Sequence, residues 1–101
     1  MWHDTVSRPP QAVRIDLNLA HLLVALEQCR SFKGASAQLG VSESKLRNAL
    51  ALLRLQLGDP LFSAREGVLH PTAKALHLAA RLHPAIDAIV GALAPGLEAS
   101  P

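Results

Sequence analysis

The chain has 101 residues, 50% of them apolar but only three aromatic (Trp2, Phe32 and Phe62), and a formal net charge of +2. That length fits one domain with one modest core, and a core with so few rings must be built from Leu, Val, Ile and Ala, which suits packed helices better than sheets. The absence of any run of about 18 apolar residues argues against a membrane span, the N-terminus lacks the apolar segment of a secretory signal, and a lone Cys29 permits no internal disulfide, so a reducing cytoplasm is the expected location.

Taken in chain order, residues 1–15 carry Pro9-Pro10 among polar residues and read as a flexible arm. Asp16 and Asn18 are both suitable N-caps for a first helix. In it Leu19, Leu22, Leu23 and Leu26 recur at helical spacing, and it ends near Arg30. Ser31 opens a short second helix from about Phe32 to Leu39, and Gly40 stops it where a left-handed residue is needed. Ser42 caps a third helix that runs to Leu57, with Leu46, Leu50, Leu53 and Leu57 as its apolar stripe, before Gly58-Asp59-Pro60 breaks it. Two short extended pieces, Leu61-Phe62 and Val68–His70, flank a Glu66-Gly67 turn and have the size of a β-wing. Thr72 caps a fourth helix that Pro84 either interrupts or restarts and that Pro95-Gly96 ends. Residues 95–101 read as a flexible tail.

Two short helices joined by a tight glycine turn are the helix-turn-helix geometry. Within Ala35–Ser42, small residues at 35 to 37 let the second and third helices approach, Gly40 turns the chain, Val41 plugs the core and Ser42 caps the third helix. The expected fold is therefore all-α with a small β-wing. Residues 16–70 form the winged helix-turn-helix, and residues 71–94 form a linker or dimerisation helix. From Arg30 to Arg81 there are eight basic residues and only three acidic ones, an asymmetry that suits an anionic partner.

The run Asp16–Leu19, Ser31-Phe32, Ala35 with Leu39–Ser42, then Leu46, Leu50, Leu53, Leu57–Phe62 and Pro71-Thr72 resembles the N-terminal DNA-binding domain of LysR-type transcriptional regulators. The resemblance covers roughly residues 16–93, and its Leu-Gly-Asp-Pro-Leu-Phe segment is its most specific part. It implies a winged helix-turn-helix, a long fourth helix that pairs antiparallel in a homodimer, and binding of double-stranded DNA by two such units. No cofactor is implied. Family members usually continue into an effector domain, and the expectation for this sequence is an excised domain or a stand-alone protein. The chain also departs from the family pattern in having Glu43 at the start of the recognition helix, Ala64 in the wing, and Leu52 and Leu55 at positions normally polar.

In the docking mode of this motif the N-terminal half of the recognition helix enters the major groove. At about 100° per residue, Ser44, Asn48, Ala51 and Leu55 lie opposite the leucine stripe, with Lys45 and Leu52 at one edge and Arg47 at the other. Ser44, Lys45, Arg47 and Asn48 are thus the candidates for base or phosphate contact, since Arg can fork onto guanine and Asn pair with adenine. Lys33 and Arg65 are candidate phosphate partners. Glu43 could accept from a cytosine amino group or favour the helix N-terminus through its dipole. On the fourth helix, Leu76, Leu82, Ile86, Ile89 and Leu93 are expected to form the dimerisation face.

A second function fits the departures. Ala51, Leu52 and Leu55 form an apolar patch that either packs under the wing or fourth helix, or marks a protein contact. In the latter case the chain would be an anti-activator that sequesters another transcription factor, with Lys45, Asn48 and Arg54 as a polar rim. Catalysis and metal binding have no support. The five histidines include no pair at i, i+4, and no nucleophile arrangement or phosphate loop can be assembled, so an enzyme is not expected.

Overall fold

The computed structural model describes residues 16–94; the expected arm (1–15) and tail (95–101) lie outside them. Helix α1 spans Leu17–Cys29 and is capped by Asp16, whose carboxylate accepts from the Leu19 N–H at 2.9 Å, so Asp16 rather than Asn18 is the cap. Arg30 closes it in the left-handed region (φ 58°), held by its Nε donating to the Glu27 carbonyl at 2.7 Å. Helix α2, Phe32–Leu39, is capped by Ser31 through the Gly34 N–H at 2.9 Å. Helix α3, Glu43–Leu57, is capped by Ser42 through the Lys45 N–H at 3.0 Å.

The α2–α3 turn requires glycine. Gly40 has φ 70°, and its N–H returns to the Ser36 carbonyl at 2.9 Å. The Ser36 hydroxyl donates to the Val41 carbonyl, which fixes the exit of the turn. Ala35 is completely buried where the helices meet, and Val41 packs on the core.

The wing is a two-stranded antiparallel hairpin, β1 Phe62–Arg65 and β2 Val68–Pro71, pairing Phe62 with Pro71 and Arg65 with Val68. Glu66 (φ 52°) and Gly67 (φ 78°) connect the strands, both at the positive φ that a tight hairpin twist demands. The hairpin is bolted to the helices at its base. Leu61, fully buried, sits at φ 64° in a γ-turn in which the Phe62 N–H donates to the Pro60 carbonyl at 2.7 Å, a strained geometry that needs outside support. Two side chains supply it. Arg54 donates from Nε to the Pro60 carbonyl at 2.7 Å and from Nη2 to the Phe62 carbonyl at 2.8 Å. Asp59 Oδ2 accepts from the Leu61 N–H and from the Thr72 hydroxyl, each at 2.8 Å. Leu69 also donates its N–H to the Arg30 carbonyl at 2.8 Å, which ties β2 to the end of α1.

Helix α4 spans Ala73–Leu93, capped by Thr72, and runs through Pro84 without interruption or restart. Pro84 is exposed, as is Ala80, whose carbonyl it leaves without a helical donor, while the opposite face of α4 is held by packing. The main core joins Leu23, Leu26, Ala35, Leu46, Leu50, Leu53, Phe62, Leu69 and Ala75. A smaller cluster joins Ala20 and Val24 of α1 to Ile86 of α4, with Leu82 against both clusters. Of the five residues expected on the dimerisation face, Ile86 is therefore buried within the protomer and Leu82 half-buried, whereas Leu76, Ile89 and Leu93 are exposed.

Candidate nucleic-acid interface

Burial of Leu46, Leu50 and Leu53 at 0–1% exposure fixes how α3 is rotated on the domain. With that face turned inward, Ser44, Lys45, Arg47 and Asn48 all stand exposed over the first two turns of α3. Four polar side chains exposed over the first two turns are what a groove-reading helix offers.

Arg47 is the most constrained of them. Its guanidinium carbon lies 4.5 Å from the centroid of the Phe32 ring, the first residue of α2. Its Nη1 is 3.8 Å from Glu43 Oε1, one turn earlier on α3. The structure thus brings Lys33, adjacent to Phe32, into the vicinity of α3 by chain continuity, and Lys33 is itself exposed. Lys45 lines a pocket of about 360 Å³ together with Asn18, His21, Leu22, Gln38, Leu39 and Val41. Arg65 is exposed near the wing tip, where it lines a shallow groove with Glu66, Val68 and His70. Glu43 lies in the first turn of α3, where a carboxylate suits the helix dipole, and Arg47 is its ion-pair partner.

Phe32, Asn18 and His21 were not among the sequence candidates. The contact of Phe32 with Arg47 joins residues on different helices, and no periodicity couples them; the histidine and asparagine share only their place near the start of α1. Ala51, Leu52 and Leu55 do not pack under the wing or α4, since Leu52 is 44% and Leu55 82% exposed. Arg54, expected at the rim of that patch, is exposed and donates to the carbonyls of Pro60 and Phe62. Among the described residues no group of three His, Cys, Asp or Glu could hold a metal ion, and no helix is long and apolar enough to cross a membrane.

A glycine-turned helix pair, an exposed polar turn on its second helix and a hairpin bolted beside it define a winged helix-turn-helix domain. Residues 17–76 match the family described as bacterial regulatory helix-turn-helix protein, lysR family, and the chain belongs to that family. It is similar to the HTH-type transcriptional regulator AbaB of Streptomyces antibioticus, with 34% identity over 83% of this chain and 28% of the relative. It is also similar to the crystal structure of a probable transcriptional regulator of Pseudomonas aeruginosa, at TM-score 0.79 and 36% identity, over 85% of this chain and 29% of that one. The same fold recurs in the CbnR DNA-binding domain, solved as a DNA complex. There the TM-score is 0.71 at 14% identity, over 86% of this chain and all of that one. The chain spans about a quarter of the length of the curated relatives it matches.

Proposed function

We propose that the chain is a sequence-specific regulator that binds double-stranded DNA as a homodimer, in the cytoplasm where that DNA lies, with no cofactor in the contact. The observation that carries the proposal is the exposed turn Ser44–Asn48, aimed outward by three buried leucines on the opposite face of α3. The named relatives are transcriptional regulators rather than enzymes, and one solved domain of this fold is described in complex with DNA. In this proposal Arg47 and Asn48 read base edges, Ser44 and Lys45 flank them, and Lys33 and Arg65 neutralise phosphates. Leu76, Ile89 and Leu93 remain exposed on α4 for the two-fold contact. Selection from random duplex DNA at low and physiological salt should enrich a two-fold symmetric site, with affinity falling as salt rises because counterions are released on binding. Arg47→Ala should cost about 1–3 kcal/mol on that site and relax preference at one base pair per half-site. An unchanged preference removes Arg47 from the readers.

Exposure of Leu52 and Leu55 favours a second reading, in which the chain binds another transcription factor through Ala51, Leu52 and Leu55 and sequesters it. Leu52→Glu combined with Leu55→Glu should then abolish capture of that factor while the domain stays folded. The DNA reading expects only a modest loss of DNA affinity from the added negative charge. Failure to enrich any duplex, together with capture of one regulator that the double variant loses, would reverse the order of the two readings.

A further inference from the structure

The geometry around Arg47 points to a reader set in advance by two neighbours. We infer that Phe32 is a positioning residue for the Arg47 guanidinium, and that Glu43 is an internal counter-charge that disfavours indiscriminate phosphate capture. This inference rests on the DNA-binding reading above and adds specificity determinants to that site.

The guanidinium lies against the Phe32 ring at 4.5 Å from its centroid. An aromatic surface beneath a guanidinium leaves the in-plane N–H donors available, and those donors are the fork that matches the O6 and N7 acceptors of guanine. Phe32 is itself packed against the main core beside the Ser31 cap, so it offers a fixed surface and not a second mobile side chain. An arginine held this way loses less rotamer freedom on binding than a free one, which favours the geometry it already has.

Glu43 acts in the opposite sense. At 3.8 Å its carboxylate is an ion-pair partner of Arg47 beyond hydrogen-bond range, and the two side chains are 42% and 60% exposed, so water screens the pair and competition displaces it readily. A bidentate base edge can replace that partner. A single phosphate oxygen gains less from Arg47 while being repelled by the neighbouring carboxylate. The pair therefore lowers affinity for any duplex and lowers it more where no matching base edge is present. The same reasoning explains an acidic residue in the first turn of a helix that faces a polyanion.

The test uses the full chain, with titrations of the enriched duplex, a base-substituted duplex and a scrambled duplex at several salt concentrations. Phe32→Leu should reduce discrimination at the base pair read by Arg47 by about two- to fivefold, and Phe32→Tyr should restore it. Combining Phe32→Leu with Arg47→Ala should cost no more discrimination than Arg47→Ala alone. Glu43→Gln should raise affinity for the scrambled duplex more than for the enriched one and steepen the salt dependence. Equal losses on all duplexes for Phe32→Leu, additive with Arg47→Ala, would overturn the role given to Phe32. If Glu43→Gln leaves the ratio of affinities unchanged, the role given to Glu43 fails; that exposed substitution remains informative even if Phe32→Leu does not fold. A wild-type chain that enriches no site defeats the DNA reading and this inference together, whereas an enriched site with unresponsive variants defeats the inference alone.

Discussion

Asp59 shows how much one side chain can hold at a junction. Its Oδ2 receives the Thr72 hydroxyl and the Leu61 N–H, so a single carboxylate braces the strained turn after α3 and links it to the start of α4. The Thr72 hydrogen bond first, then the Leu61 one, with a smaller contribution from Lys74, hold this carboxyl below its ordinary range. A carboxyl with a depressed folded value stabilises the fold above its unfolded value and loses that contribution as pH falls through the folded one. Asp59→Asn should therefore be less stable than wild type at neutral pH, with the gap closing as pH drops below about 4. Thermal melts of both proteins across that range check this, and a gap that stays constant into strong acid would show that the charge is not what matters. From the sequence, Asp59-Pro60 was legible as a helix breaker but not as a brace. The partner, Thr72, is thirteen residues away, and local pattern carries no information about which hydroxyl will arrive there. The carbonyl partners of Arg54 are illegible for the same reason, because they are set by a turn whose shape only the folded chain defines.

At the scale of elements, the helices were legible because their ends carry their own chemistry. Asp16, Ser31, Ser42 and Thr72 each accept from a backbone N–H three residues on, and the span from α2 to α3 emerges as the sequence implies. Gly40 can be tested on its own. A methyl group added there would meet nothing within 4 Å, so Gly40→Ala carries a conformational penalty without a clash. It should cost about 1–2 kcal/mol of stability, read by denaturant melts, while the preferred DNA site stays unchanged. A loss well above that range would mean that the turn contributes contacts as well as curvature. Two things at this scale were not legible. Pro84 could have ended α4, but the apolar face of Leu78, Ala79, Leu82 and Ile86 keeps the helix packed on both sides of it. For Leu52 and Leu55 the helical wheel gave the face correctly and left burial undecided, because burial depends on where wing and α4 lie rather than on α3 itself.

For the whole molecule, the decisive question is how α4 divides its long apolar stripe between its own domain and a partner. Periodicity marked Leu76, Leu82, Ile86, Ile89 and Leu93 together, yet a helix apolar over a wide arc does not disclose which part meets its own domain. In the structure Leu82 and Ile86 turn to α1, where Ala20 and Val24 receive them. Ile89, Val90 and Leu93 remain 40%, 56% and 77% exposed at the far end, with Leu76 at 46% nearer the start. In a two-fold contact each side chain counts twice. Burying a large aliphatic side chain contributes roughly 1–2 kcal/mol when part of it is already covered, so the four copies of Ile89 and Leu93 in a dimer would supply at least about 4 kcal/mol. Ile89→Glu combined with Leu93→Glu should then weaken dimerisation by about a thousandfold or more, without touching the main core, from which both residues are absent. Sedimentation at tens of micromolar should give a dimer for wild type and a monomer for the double variant, with the same helical content by circular dichroism. On DNA, the variant should keep the half-site preference set by α3 and lose the requirement for fixed spacing between half-sites, because nothing would then hold two recognition helices one turn of the duplex apart. A wild-type monomer at that concentration would remove the homodimer from the proposed function and leave the half-site contact of α3 standing alone.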